Sequence, residues 1–352
     1  MKSFFKRAKC IIENFNKQNI LVVGDLMLDR YIKGSVNRIS PEAPVPVVQV
    51  QQEFSVPGGA ANIARNLVAL GAKSALGGII GHDTAGEELK KILTAENIKL
   101  DTVLSLNNMR TTLKTRIIAD RQQVVRIDWE DIIALKGNKM STFIDKLIAA
   151  TKEVDGIIIG DYAKGVVSQK VIDVILQCAL KKGIPVAMDP KDNPAFDLNG
   201  LTFVTPNRKE AFALCGVKET SPLVDPLEDK PLLNVAQKLL EQWQVAFVVI
   251  TLGPPGMLIL SQDRKPCHVP TAAREVFDVS GAGDTAIATL LLALTAGAEK
   301  IEAAIIANCA AGVVVGKLGT ATCNKEELLD SINSLAGRRT FIVRTNGRRT
   351  IL

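Results

Sequence analysis

Residues 278–285 read Asp278-Val279-Ser280-Gly281-Ala282-Gly283-Asp284-Thr285, and an apolar helical run follows at once from Ala286. Nothing else in the chain speaks as strongly. Gly281 and Gly283 let the backbone turn tightly and approach a ligand with no side chain in the way. The helix that starts here leaves backbone N–H groups unpaired at the positive end of its dipole. Gly281, Ala282 and Gly283 thus form an anion hole suited to a phosphoryl group in transfer. Asp284 sits at its mouth. A carboxylate in that place either caps the helix or acts as the general base on an attacking hydroxyl, and these residues alone leave both readings open.

Outward from this stretch, apolar runs of strand length alternate with helical periods. Asn19–Gly24 (NILVVG), 74–80, 156–160 (GIIIG), 184–188 (IPVAM), 202–205 and 246–251 (AFVVIT) read as buried strands. Helical patterns fall at 60–70, 85–96, 139–152, 168–182, 230–242, 282–295 and 301–315. Continuous apolar strands separated by helices predict an α/β fold of three layers, with a mostly parallel central sheet covered on both faces. No repeat or linker divides the chain, so residues 1–337 are expected to form one domain, followed by a basic tail at 338–352.

Two segments break the pattern. Residues 31–50 (YIKGSVNRISPEAPVPVVQV) and 111–127 alternate polar and apolar residues, as strands of a small separate antiparallel sheet would. Pro41, Pro44 and Pro46 suit an exposed or edge position. Both segments read as a lid, with an ordinary surface hairpin pair as the alternative.

Composition removes several classes. The chain has 352 residues, 47% of them hydrophobic and 23% charged, the balance of a globular protein. The formal net charge of +6 belongs to the ends. The first twenty residues carry five Lys/Arg against Glu13, and residues 338–352 carry five Arg and no acid, which leaves the body slightly acidic. With aromatic residues at 4%, no nucleic-acid surface is expected. Six dispersed cysteines and two histidines cannot make a zinc set, and free thiols in a reducing compartment are expected. The longest apolar stretch, 286–298, is too short to span a bilayer, and the amino terminus lacks a signal-peptide core. A cytoplasmic protein with no membrane partner is the expectation.

A second glycine cluster, Pro57-Gly58-Gly59-Ala60-Ala61-Asn62, precedes a small-residue helix and would let a sugar approach, with Asn62 as donor and acceptor. Alone it is as good a turn as a site. Asp25 follows the first strand, at the carboxyl end where open α/β sheets bind ligands, and a carboxylate there matches paired sugar hydroxyls.

Gly58-Gly59 with Asn62, then Gly81-His82-Asp83, then 278–284, resemble the two signatures of the ribokinase-like (PfkB) sugar kinases, over about residues 20–335. Within that family, the runs 25–31 (DLMLDRY), 38–47 (RISPEAPVPV), 161–165 (DYAKG) and 189–191 (DPK) resemble the kinases of heptose 7-phosphate. That resemblance implies transfer of the ATP γ-phosphate to O1 of D-glycero-β-D-manno-heptose 7-phosphate, giving the 1,7-bisphosphate for ADP-heptose and the lipopolysaccharide inner core. It makes Asp284 the base. It makes Asn207 and Glu210 the pair that organises Mg²⁺, largely through water, although the two also form a helix capping box. Thr251 and Gly253 match a nucleotide-phosphate turn, Asn308 a position beside adenine, and Asp278, Ser280 and Gly319 a loop for a monovalent cation such as K⁺. Asp25, Gly58, Gly59, Asn62 and Arg38 fall to the acceptor. Arg116, Arg126, Lys164 and Lys191 are the candidates for its phosphate. Related sugar kinases suggest a homodimer built through the lid.

Rival readings are weaker. Residues 311–318 (AGVVVGKL) imitate a P-loop but lack its first glycine and the Ser/Thr after lysine, and GDLMLD after the first strand is no dinucleotide fingerprint. A kinase of another phosphosugar or nucleoside, or an idle sugar-binding regulator on the same fold, stays open. With only His82 and His268 present, no H-x-G-H signature of a nucleotidyltransferase domain occurs, so catalysis is expected to stop at the bisphosphate.

Overall fold

The computed structural model describes residues 2–335 apart from 121, 133, 192–195, 264 and 274, together with 342–345 and 348–351. Its main sheet has eleven strands among the described residues. From one edge they run Arg348–Ile351, Ile342–Thr345, Cys267–Val269, Met257–Ser261, Phe247–Thr251, Phe203–Val204, Val186–Asp189, Gly156–Gly160, Asn19–Gly24, Lys73–Gly81 and Lys99–Leu106. The stretch from Phe247–Thr251 to Lys99–Leu106 is parallel throughout, and the remaining strands are antiparallel.

Strand alternation explains the two cores. In Asn19–Gly24, Ile20 and Val22 face one layer, whereas Leu21 and Val23 face the other, and all four are fully buried. Both faces of such a strand must be apolar, which is why it reads as an unbroken hydrophobic run. Ala60–Ala69, Ala282–Thr295 and Lys300–Val314 cover the first face. Gly137–Thr151, Gln169–Lys182 and Lys230–Trp243 cover the second. The helix Ala282–Thr295 is buried on every side from Thr285 to Ala293, so its amino terminus is rigidly placed.

A four-stranded second sheet has the order Pro46–Gly59, Leu26–Ile39, Thr112–Ala119, Gln122–Trp129. It corrects the expectation of an antiparallel sheet. The central pair, Leu26–Ile39 with Thr112–Ala119, is parallel, and only the flanking pairs are antiparallel. Between those two strands the chain returns to the main domain and crosses it before re-entering from the same side, the route a parallel pair requires.

The basic amino-terminal segment is also more than a tail. Lys2–Glu13 is a helix that buries Phe4, Ala8, Ile11 and Ile12, while Arg7 pairs with Glu302 at 2.8 Å. At the other end, 338–341, 346, 347 and 352 lie outside the described residues. Ile342–Thr345 and Arg348–Ile351, within the segment expected as a tail, are strands that extend the main sheet. No helix among the described residues is long and apolar enough to cross a membrane, and the cysteines are free.

Candidate active site

The site gathers where Asn19–Gly24, Gly156–Gly160 and Val186–Asp189 end. Gly24 and Gly160 are glycines by necessity here, since a Cβ on Gly24 would come within 2.0 Å of the Gly160 carbonyl oxygen. Asp25 follows directly and is 1% exposed. Its carboxylate accepts the backbone N–H groups of Tyr162 (2.8 Å), Lys164 (3.1 Å) and Val166 (3.0 Å). Burial pushes its carboxyl up, and those N–H bonds pull it partly back. Asp25, expected as a sugar ligand, braces the loop at 162–166 in this structure.

Gly281 enters the helix Ala282–Thr295 at φ 79°, a conformation that favours glycine. The Ala282 N–H turns back onto the Val279 carbonyl at 3.2 Å, so the outward N–H groups of this end are those of Gly283 and Asp284. Ala282 contributes a pocket wall instead. The Asp284 carboxylate is held from both sides: Asn62 Nδ2 donates to Oδ2 at 2.7 Å and Tyr162 Oη donates to Oδ1 at 2.5 Å. Burial pushes the Asp284 carboxyl up, against the pull of these two donors and of the Lys191 charge. Asn62 is fully buried, and the next helical turn holds it, with Asn66 Nδ2 donating to the Asn62 carbonyl at 2.9 Å. Gly58 and Gly59 end a strand of the small sheet, where a Cβ would strike Asp29 Oδ2 at 2.5 Å or the Asp25 carbonyl at 2.6 Å.

On one side of Asp284 lies an apolar slot of about 180 Å³ whose lining includes Thr251, Gly253, Ala282, Gly283 and Asn308. Asn308 lines it with its amide already committed to the Pro270 carbonyl at 2.5 Å. Asn207 bridges to Thr251 at the slot's edge and forms the expected capping box with Glu210, each accepting the other's backbone N–H at 2.9 Å. The second Glu210 oxygen takes Lys191 Nζ at 2.5 Å. Neither residue offers a bare oxygen for direct metal coordination, and no group of three His, Cys, Asp or Glu side chains that could hold a metal ion exists among the described residues. The pair fits an ion held by nucleotide oxygens and water. Asp278 accepts N–H groups from Ser280 (2.9 Å) and Gly319 (3.0 Å). Burial works to raise the Asp278 carboxyl, but these bonds outweigh it and hold it below its usual range. Asp278, Ser280 and Gly319, expected as a cation loop, lie together, with the carboxylate bracing the loop.

A separate cleft of about 800 Å³ runs between the small sheet (Tyr31, Phe54, Arg116) and the loops bearing Phe277, Asp278 and Gly319. Arg116 pairs with Asp29 at 2.5 Å and lies over the Tyr31 ring at 5.3 Å. Arg126 stands directly opposite Arg116 across the strand pair, hence on the same face, and pairs with Asp128 at 2.9 Å. The other expected phosphate ligands are elsewhere. Lys164 ties Glu130 at 2.5 Å. Lys191 sits among Glu210, Asp189 and the Tyr162 ring, beside Asp284. Arg38 is exposed on the outer half of its strand, nine residues beyond Asp29 and so roughly 30 Å away along an extended chain. The four cations do not form one cluster, and Arg38 does not reach this site.

Three residues that the sequence left unassigned are central to it: Tyr162, Asp29 and Asp189. Burial pushes Asp189 up to about 7, with Lys191 pulling it down and Glu210 and Asp284 pushing it further up. Asp29, buried under Arg116, is the partner that the small sheet brings to the cleft.

An apolar slot lined by a helix terminus that suits phosphoryl groups, next in sequence to a carboxylate held by two donors, fits an enzyme that transfers phosphate. That is the site of a small-molecule kinase. The chain belongs to the pfkB family of carbohydrate kinases, whose family pattern it matches over residues 17–327, and it is an ATP-dependent kinase of that class. It is 40% identical over 328 residues to the bifunctional protein HldE of Proteus mirabilis, covering 93% of this chain and 66% of that one. To HldE of Caulobacter vibrioides it is 42% identical over 324 residues, covering 92% and 65%. The chain thus spans about two thirds of the length of these relatives, 66% in the first case. Its fold matches Arabidopsis thaliana ribokinase complexed with ribose and ATP (TM-score 0.68, 20% identity, 90% and 98% of the two chains). Escherichia coli phosphofructokinase-2 in complex with potassium is similar too (TM-score 0.71, 21% identity, 91% and 99%).

Proposed function

We propose that this kinase transfers the γ-phosphoryl group of ATP to O1 of D-glycero-β-D-manno-heptose 7-phosphate, supplying the 1,7-bisphosphate for ADP-heptose and lipopolysaccharide core synthesis. The observation that supports the reading is the place of Asp284, directly after Gly283 of the apolar slot, with its carboxylate fixed by Asn62 and Tyr162. ATP lies with its base in the slot and its terminal phosphates at the N–H groups of Gly283 and Asp284. The acceptor lies in the cleft with its anomeric hydroxyl on Asp284. The hydroxyl proton passes to the carboxylate as the new O–P bond forms, and the electron pair of the broken P–O bond leaves on ADP. Asn207 and Glu210 would hold, through water, an Mg²⁺ bound with ATP, which would neutralise phosphate charge. The acceptor's 7-phosphate meets Arg116 and Arg126 on the cleft face of the small sheet, which serves as a lid.

The heptose choice rests on the runs 25–31, 38–47, 161–165 and 189–191 and on the likeness to HldE. The test is a panel of sugars and sugar phosphates with ATP, reading ADP release and the position of the new phosphate. Heptose 7-phosphate should exceed ribose and fructose 6-phosphate by up to about 10⁴-fold, because an acceptor that leaves buried polar groups unpaired is rejected. Equal rates with those acceptors would end the heptose assignment. Asp284→Asn should lower turnover by roughly 10²–10⁴ with ATP binding retained, and near-normal turnover would remove Asp284 from the mechanism.

A further inference from the structure

We propose that Tyr162 is the positioning residue of the base, fixing the Asp284 carboxylate plane and holding it ionised through the bond from its phenol. This rests on the reading of Asp284 as base. Asp284 has two donors, and they differ in kind. Asn62 comes from the first turn of the helix Ala60–Ala69, where it is fully buried. Tyr162 comes from the loop after Gly156–Gly160 and reaches Oδ1 at 2.5 Å.

Every part of Tyr162 is held. Its backbone N–H donates to Asp25 Oδ2 at 2.8 Å. Its ring lies so close to the strand end that a Cβ on Gly160 would come within 3.3 Å of it. Lys191 Nζ stands 5.7 Å from the ring centroid. The phenol oxygen therefore has one place to be, and that place is on Asp284. Asp25, at the end of the first strand, thus sets the base at second hand: carboxylate to loop, loop to phenol, phenol to carboxylate.

The surroundings explain the need. Asp284 faces Asp29 from the small sheet and Asp189 from a strand end, with Lys191 as the countering cation and Asp25 beyond the tyrosine. Crowded negative charge and burial both favour the protonated acid, which cannot accept a proton. The phenol opposes them by stabilising the anion, and its own proton is held the more tightly for it.

The test is Tyr162→Phe, which keeps the ring and removes only the donor. The rate of acceptor phosphorylation is measured against pH for the wild type, Tyr162→Phe, Asp284→Asn and the double variant, with melting temperatures recorded for each. Losing a hydrogen bond to a charged group of ordinary strength moves the acid limb of kcat up by about one to two pH units. The acid limb of the Tyr162→Phe enzyme should therefore lie above that of the wild type by this amount, with KM for ATP unchanged. In the Asp284→Asn background the second substitution should change little. An acid limb that stays in place, with or without a general loss of rate, overturns the proposal while leaving the base intact. Near-normal turnover of Asp284→Asn overturns both.

Discussion

Gly281→Ala isolates the geometry of the helix entrance. Gly281 has φ 79°, and an added Cβ would sit 2.8 Å from Asn62 Nδ2, the atom that donates to Asp284 Oδ2 at 2.7 Å. Two costs follow. An alanine in the left-handed region is strained by about 1–2 kcal/mol. The asparagine is fully buried and tied to Asn66, so it cannot retreat without releasing Asp284. Losing a hydrogen bond to a charged group is worth about 1.5–3 kcal/mol. If that bond serves the transition state, turnover falls by about ten- to a hundredfold. Strain alone should lower the melting temperature by about 2–3 °C for a chain of this length. Gly283→Ala is the control, because a Cβ there meets nothing within 4 Å. That variant should melt no lower than wild type, yet raise KM for ATP by intruding on the phosphate site. Stopped-flow ADP release and calorimetric melting separate the two. Full turnover in Gly281→Ala, with the expected loss of stability, would refute the coupling of Gly281 to the base through Asn62.

Glu210→Gln should raise the Mg²⁺ concentration needed for half-maximal rate and leave acceptor KM unchanged; a lower melting temperature with unaltered Mg²⁺ dependence would make Glu210 a helix cap alone. Asp189 binds its proton more tightly folded than unfolded, so its contribution to stability is present at low pH and is lost as pH rises toward about 7. Asp189→Asn should therefore flatten the fall in melting temperature between pH 5 and 8, and a slope equal to wild type would contradict the burial argument. Val125, Ile127 and Trp129 alternate along one strand and share a face at 45%, 40% and 38% exposure. A dimer through the lid buries them, so Val125→Asp with Ile127→Asp should sediment as a monomer, and a wild-type monomer at micromolar concentration would count against the interface.

Much of the fold was legible because the central parallel strands are apolar on both faces, as Ile20 to Val23 are, and the outer helices carry an amphipathic period. The lid was read as strands, but its pairing was not. Leu26–Ile39 pairs with Thr112–Ala119 only because the chain between them crosses the main domain, and local alternation holds no trace of that. The helix entrance at 281–284 was readable from its glycines. The basic residues were misread as one group because a lysine reveals nothing of its partner: Lys164 belongs to Glu130, and Lys191 to Glu210. Tyr162 stood inside a recognised run, yet only the folded loop puts its hydroxyl on Asp284.

One residue, Asp25, separates the core strand Asn19–Gly24 from the lid strand Leu26–Ile39. The lid strand is thus a lever with its fulcrum inside the active site. Its 14 residues extend for about 46 Å, so a tilt of about ten degrees at the base sweeps the tip through about 8 Å. The fulcrum itself scarcely shifts, and its carboxylate carries the loop of Tyr162. Any large excursion at the rim would thereby be geared down to small adjustments at Asp284, and any contact made at the far end of the lever would be felt at its base.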